Sequence, residues 1–362
     1  MGEPVRVLHV FAALDSGGVS NFVMNLYREM DTDKIQFDFA LTAGYKALYD
    51  DEVVSRGGRI FYFDTSRSIP SNLYAILRRE GPFHAVHSHL FFYSGLVLAE
   101  ARLAGVPVRI AHAHNAHTGE SRSVLRLFYE RGMQYLTRLN ATHLLGCSEK
   151  ACLYVFGRGI IRDPRTRVVP DGIDCKRFAF DPVVRENVRA EYGLTGKYVI
   201  GHVGHFTPAK NHEKIISVFK TILDRRPDAA LLLVGDGELE MEVRERVLQE
   251  GMDGHVIFAG AHKDVERFYQ AMDVFFFPSR YEGFGMAMIE AQAGGLSCVA
   301  SDIVPKDTNV DGRCVYLALD AEDSLWADSI LGAPVRDSFA FEQICARYGA
   351  THTAQQVAAI YN

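Results

Sequence analysis

Short apolar runs alternate with amphipathic stretches along almost the whole chain. In the first half, strands are predicted at Val5–Ala12, Gln36–Thr42, Arg59–Phe63, Ala85–His89, Val108–His114 and Thr142–Cys147. Between them, apolar residues recur at helical spacing over Val19–Met30, Tyr93–Ala104 and Ser123–Leu139. A second series predicts strands at Tyr198–Gly204, Ala230–Gly235, Val256–Gly260, Val274–Pro278 and Cys298–Ser301. Its helices are predicted at Asn211–Arg226, Glu238–Gln249, Val265–Met272 and Phe284–Ala293, and the tail from Asp337 to Tyr361 reads as helix. Strands this uniformly apolar are covered on both faces, which means parallel sheets between helices and an α/β class. Between the two series, VVPDGIDCKRFAFDP (Val168–Pro182) carries two prolines and an Asp-Gly turn and reads as a domain connection. Two α/β halves of similar size predict a ligand cleft between them.

Bulk properties narrow the function without naming it. The 362 residues suit two domains at roughly 150 residues each. A formal charge of −6 gives no footprint for nucleic acid. The six cysteines form no CxxC and no zinc spacing, as expected of a reduced cytoplasmic protein. The N-terminal run lacks the basic segment of a signal peptide, and no stretch reaches the ~18 apolar residues of a membrane span. The expected location is therefore the cytoplasm, with a peripheral position at the inner face of the membrane as the alternative. The helix near 122–139 carries Arg122, Arg126, Arg131 and Arg138 beside Leu125, Phe128, Leu136 and Leu139, a composition that suits either an ordinary half-buried helix or contact with anionic lipid.

The chemistry concentrates where predicted strands end and helices begin. In Ser279-Arg-Tyr-Glu-Gly-Phe-Gly-Met-Ala-Met-Ile-Glu290, a strand gives way to a Gly-rich turn and then a helix. Free amides at such a junction attract anions, and Gly283 and Gly285 let the backbone approach them. Glu282 and Glu290 can accept hydrogen bonds from hydroxyls, so the segment reads as an anion and polyol site. Lys210 stands at another helix start, where a cation opposes the helix dipole and so suggests an anionic partner such as a diphosphate. Gly17 and Gly18 form a flexible turn after the first strand. No complete GxGxxG occurs, which counts against a dinucleotide dehydrogenase. His87-Ser-His89 and His112-Ala-His114-Asn-Ala-His117 place imidazoles at strand carboxyl ends, but no carboxylate or thiol stands among them, so a polar site lining is preferred and no metal is expected. Asp31-Thr-Asp33 reads as a solvated turn rather than a metal-binding DxD.

The runs RIAHAHN, VVPDGID, GHVGHFTPAKNH, LLVGDGELE and YEGFGMAMIEAQAGG, with the E-x7-E spacing of Glu282 and Glu290, resemble the retaining glycosyltransferases of family four (group one), above all bacterial enzymes of capsule and exopolysaccharide assembly. The resemblance covers nearly the whole chain. It implies the GT-B architecture, two facing Rossmann-like domains with a cleft. It further implies an acceptor domain at 1–175, a donor domain at 176–344, and a crossing helix at about 345–362 that returns to the first domain. The implied activity is a hexosyltransferase that moves a sugar, carried by UDP, to a hydroxyl on a glycan, a lipid-linked or a small-molecule acceptor, with no metal or other cofactor. Glu290 would hold the ribose, Glu282 the transferred sugar, and the amides of Gly283, Phe284 and Gly285 the diphosphate, whose charge Lys210 would offset. Ala261 and His262 would meet the base, Gly18 the donor phosphates, and His114 the reacting sugar. His205 stands where relatives commonly carry Arg. The alternatives are a nucleotide-sugar epimerase or hydrolase on the same scaffold, and a non-catalytic nucleotide-sugar-binding regulator.

Overall fold

The computed structural model describes residues 3–15, 17–114, 123–310, 312–334, 336 and 341–361. Two parallel sheets carry the chain. The first holds β1 (Val5–Phe11), β2 (Ile35–Leu41), β3 (Ile60–Tyr62), β4 (Ala85–Ser88), β5 (Val108–Ala113), β6 (His143–Gly146) and β7 (Thr166–Val168), in the order β3-β2-β1-β4-β5-β6-β7. The second holds β8 (Tyr198–Val203), β9 (Ala229–Val234), β10 (Val256–Gly260), β11 (Val274–Phe277), β12 (Ser297–Ser301) and β13 (Val315–Leu317), in the order β10-β9-β8-β11-β12-β13. Both orders are Rossmann-like, so the α/β class with two Rossmann-like domains read from the sequence is the one observed. The chain divides into two compact units, Met1–Gly172 with Ala350–Asn362, and Ile173–Gly349.

Each unit has its own core. In the first, Phe22, Val23, Leu26 and Tyr27 from helix Gly18–Glu29 pack on Val7, Phe37 and Phe39 of the sheet. The C-terminal helix Ala350–Tyr361 adds Ala354, Val357, Ile360 and Tyr361 to that same core. Burying Val357 and Ile360 is worth roughly 1.5–3 kcal/mol each, so this last helix is integral to the first unit. In the second, Ile215, Ile216, Phe219 and Ile222 of helix His212–Arg225 and Trp326 and Ile330 of helix Asp323–Leu331 cover Leu231, Leu233, Val274 and Phe276.

Three sequence expectations need correction. Strands β7 and β13, three residues each at sheet edges and partly exposed, were not predicted. The run Val168–Pro182 is not all connection: Asp181 caps a helix, Pro182–Glu191, accepting from the amides of Val183 and Val184 at 2.8 and 3.2 Å. Proline there is a helix start, because the first helical N–H has no intrahelical partner to lose. The tail forms two helices, Phe341–Tyr348 and Ala350–Tyr361, and residues 337–340 lie outside the described residues.

The β3-β2-β1 part of the first sheet is held by charge. Asp38 on β2 is fully buried and accepts from Arg6 at 2.6 and 2.7 Å and from the Arg59 guanidinium and amide at 2.7 and 2.9 Å. Burial pushes the carboxyl up, but the hydrogen bonds from Arg6 and Arg59 outweigh it and hold it below the ordinary aspartate value. The resulting stabilisation is complete above the unfolded-state value and is lost as pH falls through the lower folded value. Asp38→Asn should therefore destabilise the first unit by about 3 kcal/mol at pH 7. Urea unfolding of the variant should also change less than wild type as pH is lowered from neutral into the carboxylate range; parallel pH profiles would refute the assignment.

Candidate active site

In open α/β sheets a ligand site forms where strand order reverses, outside the strand carboxyl ends. In the second unit that point lies between β8 and β11. The loops leaving these strands are stitched together: the Arg280 amide donates to Ala209 O at 2.7 Å, and Asn211 Nδ2 donates to Pro278 O at 3.1 Å. Asn211 sits in the left-handed region with φ 58° and turns the chain into helix His212–Arg225.

This stitching sets Lys210 against Glu282. Lys210 Nζ donates to Glu282 Oε1 at 2.6 Å and lies 4.8 Å from the Phe277 ring centroid. The two side chains are mostly covered, 21% and 9% exposed. Gly204 makes room for the lysine stem, since a Cβ there would stand 3.1 Å from Lys210 Cδ and Cε. The resemblance implies separate duties for these residues, toward sugar and phosphate; the fold places them in one ion pair.

After Glu282 the chain passes Gly283 and Phe284, both buried, to Gly285, whose φ of 94° starts helix Met286–Ala293. The Phe284 ring packs 5.4 Å from that of Tyr348. First-turn amides of a helix lack intrahelical partners and favour anions. Two turns on, Glu290 Oε2 accepts from the Tyr269 hydroxyl at 2.7 Å. Burial raises the Glu290 carboxyl above the ordinary value, opposed by that hydrogen bond. Tyr269 is fully buried and fixes the direction of Glu290. Its place in helix Glu266–Ala271 carried no polar pattern that could have marked it.

The remaining positions of this unit surround the same strand ends. His205 Nδ1 lies 2.9 Å from Asp236 Oδ1, both half exposed, so an acidic partner sits beside the histidine. Gly235 and Gly237 allow this approach, because a Cβ at either would strike the backbone of Gly204 or Phe206. Beyond β10, Ala261 is exposed, and His262 bonds through Nε2 to Ala259 O at 2.9 Å. A separate cavity of about 700 Å³, lined by Arg185, Arg189, Asp273 and Arg336, lies by the strand amino ends and is not the switch-point site.

In the first unit the reversal lies between β1 and β4. Gly18 opens helix Gly18–Glu29 into unobstructed space, while Asp15 ties the turn by accepting from the Gly17 amide at 2.8 Å. His9, His87, His89, His112 and His114 project from one face of three neighbouring strands, and the register sets His9 beside His87. Four of the five rings are buried and His114 nearly so. His114 contacts Asp171 through Nδ1 at 3.3 Å and His89 through Nε2 at 2.8 Å, and His87 meets the Tyr361 hydroxyl at 2.6 Å. Three ring nitrogens come within 4.8 Å of one another in His9, His87 and His89 and again in His89, His112 and His114, but hydrogen bonds among the rings use most of these atoms. His9, Asp171 and Tyr361 escaped the sequence reading; only strand register could have drawn His9 to His87. His117 lies outside the described residues. Asp31 and Asp33 form a turn with Asp31 paired to Lys34 at 2.7 Å.

The comparisons with known proteins agree with this layout. Residues 16–177 match the model of Glycosyltransferase Family 4, and residues 184–321 match that of Glycosyl transferases group 1. The putative glycosyltransferase EpsF of Bacillus subtilis (strain 168) is 36% identical over 340 residues, covering 91% of this chain and 87% of that protein. An Escherichia coli enzyme named UDP-Gal:alpha-D-GlcNAc-diphosphoundecaprenol alpha-1,3-galactosyltransferase is 28% identical, covering 73% of this chain and 68% of its own. Among solved structures, Anabaena Alr3699/HepE in complex with UDP-glucose superposes with a TM-score of 0.82 at 17% identity, covering 98% of both chains. Family models across both units and a full-length relative above 30% identity lead to one conclusion: the chain belongs to the group 1, family 4 glycosyltransferases and is a transferase enzyme.

Proposed function

We propose that the protein moves a hexosyl group, with retention of anomeric configuration, from a UDP-linked sugar to a hydroxyl of a glycan or lipid-linked acceptor in polysaccharide or glycoconjugate assembly. The observation that carries this reading is the Lys210–Glu282 pair at the switch point, with Glu290 directed by Tyr269 on the adjoining helix. A nucleoside diphosphate needs a cation and backbone amides for phosphate and a carboxylate for the ribose hydroxyls, and all three residue types stand at these strand ends. In this role Lys210 exchanges Glu282 for the diphosphate, freeing the carboxylate for the sugar. Glu290 holds the ribose, the amides around Gly283, Phe284 and Gly285 hold phosphate, Ala261 and His262 border the base, and His205 adds to the phosphate contacts. Gly18 is assigned to the donor phosphates and His114 to the reacting sugar. UDP is favoured by the E. coli protein, named for UDP-Gal, and by the Anabaena protein, solved in complex with UDP-glucose.

The reaction breaks the bond from the anomeric carbon to the phosphate oxygen and forms one to the acceptor oxygen. The acceptor proton passes to the departing diphosphate on the same face. Lys210 and the helix start at Gly285 stabilise the developing negative charge, so no metal is required.

Helix Val124–Asn140 suits an acceptor held at a membrane. Ser123 caps it, and Leu125 is 83% exposed and Phe128 and Val124 are 70% exposed, with Arg131 also exposed beside them. Arg122 lies outside the described residues, and none of the described helices is long and apolar enough to cross a membrane. An exposed apolar stripe bordered by arginine is the chemistry of an interfacial helix.

Three outcomes are expected. UDP at about 100 times its Kd should stabilise the protein by about 2.7 kcal/mol in a thermal-shift assay, and Glu290→Ala should abolish the effect; stabilisation by NAD alone would contradict the donor assignment. In a transfer assay with UDP-sugars, EDTA should leave the rate unchanged, the product should keep the donor's anomeric configuration by NMR, and Lys210→Ala should lower kcat by roughly 10²–10³-fold; donor consumption with no acceptor product would mark a hydrolase instead. Vesicles containing anionic lipid should sediment the wild-type protein and not Leu125→Asp/Phe128→Asp; equal recovery with neutral vesicles would remove the membrane role.

A further inference from the structure

The histidine face of the first unit is a directional chain. His114 Nδ1 meets Asp171 Oδ1 at 3.3 Å, His114 Nε2 meets His89 Nδ1 at 2.8 Å, and His89 Nε2 meets His9 Nδ1 at 3.1 Å. An ionised carboxylate only accepts, and a neutral imidazole has one donor and one acceptor nitrogen. With Asp171 accepting and all three rings neutral, the hydrogens are assigned in one way. His114 donates from Nδ1 and accepts at Nε2; His89 donates from Nδ1 and accepts at Nε2; His9 donates from Nδ1. The chain ends at His9 Nε2, which this assignment leaves as a lone pair and which is buried with no partner among the described residues. Burial lowers His9 to about 3 and lowers His89 well below the ordinary histidine value, so both are neutral at working pH.

We infer that His89 is a positioning residue, which together with Asp171 locks the ring of His114 as the Nδ1–H tautomer from both sides. The orientation is held by two hydrogen bonds and by the Phe22 ring 5.0 Å away. An imidazole with one bond only can turn over about its Cβ–Cγ axis and exchange its two edges. With both nitrogens engaged it presents one fixed edge and one charge distribution to whatever lies beside it. Asp171 alone would set the tautomer; the His89 bond adds the second constraint that stops rotation. The inference rests on the assignment of His114 to the reacting sugar.

The test pairs two variants with two readouts. Asn at 89 can place its Nδ2–H near the position of the histidine Nδ1–H, whereas Leu cannot donate. In full-length protein carrying ¹⁵N-histidine, long-range ¹H–¹⁵N spectra should show His114 in the Nδ1–H form in wild type and His89→Asn, with its Nε2 signal changed in His89→Leu. His114→Gln assigns the signal, and thermal melting confirms that each variant is folded. In the transfer assay, His89→Leu should lower kcat by roughly 10- to 100-fold with donor KM unchanged, and His89→Asn should recover most of it. An Nε2–H tautomer at His114 in wild type, or equal loss in the Asn and Leu variants, would overturn the inference. If no UDP-sugar is turned over by wild type, the proposed reaction fails, and the spectra alone still decide the hydrogen-bond chain.

Discussion

Parallel strand pairing around β1 and β8 is the constraint on which the rest of the molecule depends. Each of these strands is bonded on one side to the strand that follows it and on the other to a strand three places later. Connections from the two neighbours therefore leave toward opposite faces and part at the carboxyl edge. The gap opens beside helix starts, whose first-turn amides have no intrahelical partner, and the backbone there cannot close it without losing sheet hydrogen bonds. Lys210, Glu282 and Glu290 in one unit, and Gly18 and His114 in the other, all follow from this geometry. Glycine serves the same end: positive φ at Gly285 starts a helix at the strand edge, and the missing Cβ at Gly235 lets one loop rest on the next.

The two sites use charge differently. In the second unit, opposite charges separated by 72 positions in the chain neutralise one another across the gap, and a ligand must offer better terms to each partner. In the first, a row of imidazoles replaces the apolar side chains usual on an inner sheet face. Burying a polar group costs free energy unless it is hydrogen bonded, so such a face persists only where the rings satisfy one another and draw on Asp171 and Tyr361 at its margins. Apart from the terminal nitrogens of His9 and His112, that condition is met within the network.

Much of this was legible in the sequence, for identifiable reasons. Apolar runs such as Leu231–Val234 and Val274–Phe277 announced central parallel strands, and their helices followed from spacing. The Gly-rich turn before Met286 and the lysine before His212 marked strand ends with work to do. What stayed hidden was contact across sequence distance. Nothing local couples Tyr269 to Glu290 or Lys210 to Glu282, because each bond forms only once sheet order is set. Asp171 looked like part of a turn and His9 like part of an ordinary strand, since a lone polar residue inside an apolar run shows no partner until register is known. Of the three-residue edge strands, β3 showed as an apolar run while β7 and β13 did not.

The closing helix has a consequence for biosynthesis. Residues 350–361 complete the first core, yet the ribosome makes them after the whole of the second unit. Domains emerging from the ribosome tend to fold in order, N-terminal first. Here that order is inverted at the last step: the second unit has all its residues while the first still lacks Val357, Ile360 and Tyr361. Until then the sheet's apolar face stands open and His87 lacks its tyrosine partner. A nascent chain stalled or cleaved before residue 350 would carry a finished second half and an adhesive, unfinished first half, a natural substrate for chaperones and for quality-control proteolysis.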